Sequence, residues 1–242
     1  MTNKTHPYEK LQSGLAELIA NTQPGDRLPT EPLLAQKLGV SRATLREAMR
    51  SFESQGLIRR RQGIGTFVVG RTQVLETGLE VLDSIETLAD RTHLKVSMGD
   101  LRIQHIPADE SISRNMGIEI GLEVIRVSRV IRADKRPVAF LVDTLPADLL
   151  SRDELNGEFS GSVLDLLLRR GTPQLSNSKT EIRTVDATSE IARELEIQRG
   201  DGLLLFIGSL YDTTGKVIDY SYSYFLPGYF RFHVVRSIGR VS

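Results

Sequence analysis

Cysteine is absent from all 242 residues, which excludes disulfides, iron–sulfur clusters and thiolate zinc sites. No apolar run approaches the roughly 18 residues that a membrane-crossing helix needs. The opening MTNKTHPYEK is polar, so a secretion signal is not expected either, and the chain reads as cytoplasmic with no membrane partner. The four histidines, His6, His93, His105 and His233, stand at no metal-ligand spacing, and H-E-x-x-H, G-x-S-x-G and P-loop strings are missing. No metal, cofactor or catalytic set is therefore expected. Net charge is zero as well, yet it is unevenly spread: residues 1–73 hold 11 Lys+Arg against 6 Asp+Glu, and the remainder 20 against 25. A basic head on an acidic body concentrates the electrostatic footprint of a nucleic-acid binder at one end.

What the head does contain is SRATLREAMRSFESQGLIRRRQGIGTFVV, from Ser41 to Val69. Ser41 suits an N-cap, because its hydroxyl can accept from free backbone N–H groups of a first turn, and Gly39 can end a preceding helix. In the helix starting at Arg42, Leu45, Ala48, Met49 and Phe52 form an apolar stripe, while Arg42, Arg46 and Arg50 repeat along an adjacent flank. Gly56 stops that helix. Leu57–Arg61 and Thr66–Val69 then read as two short strands around the turn Gln62-Gly63-Ile64-Gly65. Upstream, Tyr8–Ala20 carries Leu11, Leu15, Leu18 and Ile19 at helical spacing. Thr30 can cap a second helix, with Pro32 tolerated in its first turn and Leu34, Ala35 and Leu38 facing inward. Three helices and a basic hairpin outline a winged helix-turn-helix.

A recognition helix of about 14 residues is roughly 21 Å long, and a B-DNA major groove roughly 12 Å wide admits it. Arg42 and Arg46 carry donor forks that match guanine O6 and N7, with Thr44 between them in sequence. Arg59 and Arg61 lead into a hairpin whose glycines, Gly63 and Gly65, let backbone approach a minor groove or phosphates.

Residues 8–70 resemble the DNA-binding domain of the GntR family of bacterial transcription factors. The strings that carry the resemblance are L-P-x-E, L-A-x-x-L-G-V-S-R-x-T-[LV]-R-x-A and G-L-I-x-R-x-x-G-x-G-T-F-V. It implies that Arg42, Thr44 and Arg46 contact double-stranded DNA and that Gln62 and Gly63 sit at the wing tip. Most members have arginine where this chain has Pro32, so one contact from the second helix is expected to be missing.

Arg71-Thr72-Gln73 is the expected boundary between a head of residues 1–73 and a body of 74–242. Val74–Arg91 has Leu75, Leu79, Leu82, Ile85 and Leu88 three or four apart and reads as one amphipathic helix; Asp100–Ile106 begins a strand. Beyond it lies a weak internal repeat at an offset of 79: Ile112 on Ile191, Arg114 on Arg193, Met116 on Leu195, Gly121 on Gly200. Each copy reads as a short helix, a Gly turn and a β-hairpin, turning at Ala133–Arg136 or Asp212–Gly215. Between them Ser162 starts a helix to Arg170. Two copies make an antiparallel sheet with helices on it, an α+β body.

The strings R-V-x-R-A-D-x-x-P-V, G-S-V-L-D-L-L and G-x-V-I-D-Y-S-x-S-Y resemble the UTRA domain of the HutC-like branch, whose fold is similar to chorismate lyase. The resemblance implies a homodimer and a small-molecule effector site. Its sugar-phosphate-binding members place two arginines, a glutamate and two tyrosines around the ligand. Here those positions are Arg129, Ile131, Leu141, Leu164 and Phe225, with Asp219 and Ser221 nearby. Four polar positions have become hydrocarbon, so the expected effector is an apolar or aromatic acid with one carboxylate for Arg129, not a sugar phosphate. Function is then expected to be that of a ligand-responsive repressor on a palindromic operator; the alternative is an enzyme built on the lyase-like body.

Overall fold

The computed structural model describes residues 7–23, 25–54, 56–61, 64–69, 75–92, 95–150, 154, 159 and 161–237. The expected linker, Arg71–Gln73, and the wing-tip residues Gln62 and Gly63 lie outside them. The chain divides into two compact units, residues 1–74 with 226–229, and residues 75–225 with 230–242.

In the first unit, α1 (Pro7–Ala20), α2 (Glu31–Leu38) and α3 (Arg42–Ser54) precede an antiparallel hairpin of β1 (Ile58–Arg61) and β2 (Gly65–Val68). The helices form where the apolar spacing demands burial. Leu11, Leu15, Ile19, Leu34, Ala35, Leu45, Ala48, Met49 and Phe52 make one core, closed by Ile58 and Val68 from the hairpin. A fully buried leucine contributes about 1.5–3 kcal/mol by area removed from water. The turn into α3 is set by Gly39, left-handed at φ 67°, and by Ser41, whose Oγ accepts from the Thr44 amide at 3.1 Å. Thr30 stands at the N-cap of α2 as expected, but its side chain makes no capping bond.

The second unit is built on a six-stranded sheet. Its strands are β4 (Val96–Pro107), β5 (Glu123–Ala133), β6 (Arg136–Pro146), β7 (Leu175–Asp186), β8 (Gly202–Asp212) and β9 (Val217–Phe225). Their order, β4-β5-β6-β9-β8-β7, with every neighbour antiparallel, is that of two copies meeting at β6 and β9. The repeat reaches further upstream than its sequence signal, because β4 and β7 also correspond at the offset of 79. Asp109 and Thr188 cap α5 (Glu110–Met116) and α7 (Ser189–Glu194) through the same bond, accepting from the Ile112 and Ile191 amides. Between the copies, α6 (Val163–Arg170) starts at Ser162, whose Oγ accepts from the Asp165 amide at 3.0 Å, and packs Val163, Leu166 and Leu167 on Ile125, Val127 and Leu145.

One expectation fails. Val74–Arg91 is not a single helix: Leu75–Gly78 is β3, paired in parallel with β10 (Phe230–His233), and only Ile85–Thr92 is helical, as α4. Leu79 and Leu82, read as part of a buried stripe, are exposed. The distant partner strand claims residues 75–78, and Ser84 restarts the chain as an N-cap, accepting from the Thr87 amide at 2.9 Å. No helix among the described residues is long and apolar enough to cross a membrane.

Candidate nucleic-acid interface and ligand cavity

On the first unit, burying Leu45, Ala48 and Met49 turns the opposite flank of α3 outward, and Arg42, Thr44, Arg46 and Arg50 are all exposed. The Thr44 hydroxyl lies 2.8 Å from that of Ser41, which fixes it at the helix start. Arg46 is held: its Nε donates to Glu31 Oε2 at 2.7 Å, and the other Glu31 oxygen is 3.2 Å from Arg60 Nη2. One carboxylate thus gathers an arginine of α3 and one of the hairpin.

The hairpin register opposes Arg59 to Phe67, Arg60 to Thr66 and Arg61 to Gly65. Alternation puts Arg60 on the face of buried Ile58, beside Glu31, and leaves Arg59 exposed. Gly65 pairs with Arg61, so it belongs to the strand and not to the turn. Its φ is 142°, and a Cβ there would strike the Arg27 guanidinium. Arg27 bridges to Phe67 just outside the named strands. Sequence reading missed both Arg27 and Glu31. Arg27 is brought to the wing by a single long-range bridge that no local pattern shows, whereas Glu31 stands in the L-P-x-E string and was not given a role.

The second unit contains a cavity of about 720 Å³ within its own fold. Arg129, Leu141, Leu164, Asp219, Ser221 and Phe225 all line it. Ile131 is buried but does not line it. Asp143, missed in the sequence, lies two residues from Leu141 and so on the same face of β6, and it also lines the cavity. Glu86, on α4, was hidden inside the mistaken long helix.

Arg129, expected to meet a ligand carboxylate, already has a carboxylate of the protein beside it. Its Nη1 donates to Asp143 Oδ2 in a buried ion pair. Asp219 accepts from the Thr144 amide at 3.2 Å and faces the same pair. Burial, and then the charge of Asp143, holds the Asp219 carboxyl well above the usual carboxylate range. Burial also raises Glu86, partly opposed by the Arg129 charge, and both Glu86 oxygens are buried with no hydrogen-bond partner. The inner wall therefore sets three carboxyls against one guanidinium. The opposite end is aromatic: Phe206 and Phe225 are 4.5 and 5.0 Å from Phe232 between ring centroids.

Comparison with known proteins fits both halves. Residues 7–68 match the family described as bacterial regulatory proteins, gntR family, and residues 91–231 match the UTRA domain. The HTH-type transcriptional repressor NagR of Bacillus subtilis is 29% identical over 227 residues, covering 91% of this chain and 92% of NagR. The mannosyl-D-glycerate transport/metabolism system repressor MngR of Escherichia coli is 28% identical, covering 94% of this chain and 95% of its own. Among solved structures, PhnF from Mycobacterium smegmatis superposes with a TM-score of 0.64 at 21% identity, over 95% of this chain and 100% of that one. At that identity the likeness bears on the fold alone. The basic helix and hairpin, the two-copy sheet and repressors matched along nearly their whole length agree: this chain belongs to the gntR family of bacterial regulatory proteins, a DNA-binding transcriptional regulator with a UTRA domain and not an enzyme.

Proposed function

We propose that the chain acts in the cytoplasm as a homodimeric, ligand-responsive repressor. Residues 1–73 read a palindromic operator, and residues 74–242 dimerise and hold the effector. Arg42, Thr44 and Arg46 would read base edges at the start of α3, while Arg59, Arg61, Gln62, Gly63 and Gly65 would place the wing on the backbone or in a minor groove. A small molecule bound against Arg129, Leu141, Leu164, Asp219, Ser221 and Phe225 would favour one dimer geometry over another. It can shift DNA affinity only by its differential affinity for the two.

The observation that carries this reading is the exposed arginine flank on a helix whose other side is a closed core. Selection of duplexes from a random pool tests it. The intact chain is expected to enrich one motif and to lose affinity for it by about a hundredfold or more between 50 and 200 mM salt. Arg42→Ala and Arg46→Ala should each weaken binding to that motif by about 1–3 kcal/mol while retaining salt-sensitive binding to random duplex. Enrichment that survives both substitutions would refute the assignment of base reading to α3.

A further inference from the structure

The charge lining the cavity identifies the class of molecule it accepts. Among the described residues its wall contains five carboxyl side chains, Glu80, Asp83, Glu86, Asp143 and Asp219, and one cationic one, Arg129, with no lysine or histidine. Four of the five have partners: Glu80 accepts from the Val235 amide, Asp83 pairs with Arg91, Asp143 pairs with Arg129, and Asp219 accepts from the Thr144 amide. That leaves Glu86, whose buried oxygens have no hydrogen-bond partner, while Arg129 keeps a buried Nε without one. An anionic ligand would be brought against Glu86 and would share Arg129 with Asp143, which costs both desolvation and repulsion. A cation reverses each of those effects. It would supply N–H donors to the unpartnered oxygens, and the faces of Phe206, Phe225 and Phe232 attract positive charge as well as apolar bulk.

We propose that the effector is a small organic cation, an ammonium or guanidinium group on an apolar or aromatic body. The charged group meets Glu86, and the body lies toward the phenylalanines and Leu141. The inference rests on the reading of this cavity as the effector site.

The test is calorimetric titration of the intact chain with skeletons matched in shape and differing in charge: phenethylamine, phenylethanol and phenylacetate, and agmatine against glutarate. The amine members are expected to bind, and at least tenfold more tightly than their neutral or acidic counterparts, since a charge-assisted hydrogen bond contributes about that factor or more. Glu86→Gln is expected to lower amine affinity about tenfold and to narrow the gap between phenethylamine and phenylethanol. Acids binding as tightly as amines, phenylethanol equalling phenethylamine, or silence of every amine in the set would each overturn the proposal. The same preparation is assayed for selective DNA binding. If that fails while amines bind, the regulatory reading falls and this one stands; if it succeeds and only acids bind, the reverse holds.

Discussion

At the scale of single residues, two carboxylates set the behaviour of the two sites. Glu31 holds Arg46 and Arg60 together on the face proposed to meet DNA. An exposed pair of this kind contributes only about 0–1 kcal/mol to stability, so Glu31→Gln should leave the fold intact. It would free two arginines, raise the local positive charge and remove their shared positioning. Affinity for random duplex is expected to rise and the specific-to-random ratio to fall by about fivefold, the equivalent of roughly 1 kcal/mol; an unchanged ratio in competition binding would show that Glu31 does not position them. In the cavity, Asp219 keeps its proton further up the pH scale than in the unfolded chain. The sign follows from linkage. The folded state binds the extra proton, so the associated stability is complete below the ordinary carboxylate range near about 3.9 and is lost as pH rises through the elevated value. Asp219→Asn keeps an acceptor for the Thr144 amide and removes that titration. Its melting temperature is expected to fall less than the wild type's between pH 5 and 8.5, and parallel profiles in thermal denaturation would refute this.

At the scale of elements, the repeat makes equivalent positions comparable within one molecule. Gly117 ends α5 in the left-handed region at φ 67°, and its counterpart, Glu196, adopts φ 55° after α7 with its carboxylate held by Arg132. A Cβ on Gly117 would meet nothing within 4 Å, so Gly117→Ala isolates the backbone term. It is expected to cost about 1 kcal/mol, a fall of about 2–4 °C in melting temperature for a unit of this size. Loss well beyond that in calorimetry would mean that the turn does more than reverse the chain. The same comparison explains what was legible beforehand. Helices α1 to α3, the hairpin, α6 and both halves of the repeat are announced by local signals: apolar spacing, a capping Ser, Asp or Thr, and a glycine just past the end. The stretch from Val74 misleads because Leu75, Ile85 and Leu88 are buried by two different elements that share a helical spacing by coincidence. Its pairing with Phe230–His233 lies some 155 positions away in the chain, beyond any periodicity. The cavity was partly legible for a related reason. Strand alternation from Leu141 leads to Asp143, whereas Glu86 could be found only once α4 was known to be a separate helix.

At the scale of the whole molecule, the proposed function has a sensing body control a reading head through the spacing it would impose on two heads in a dimer. The repressors that this chain resembles match it over nearly their whole length. Two-fold symmetry in the protein calls for two-fold symmetry in the operator, with half-sites about one helical turn, or roughly 34–36 Å, apart. The most direct test is helical phasing. Half-sites recovered by selection are rebuilt with five or ten extra base pairs between them, and affinity is measured by fluorescence anisotropy at fixed salt. A five-pair insertion rotates one half-site to the far side of the duplex and is expected to lower affinity at least a hundredfold, to the level of a single half-site. Equal affinity for the native and five-pair duplexes would contradict a dimer that sets the distance between its heads.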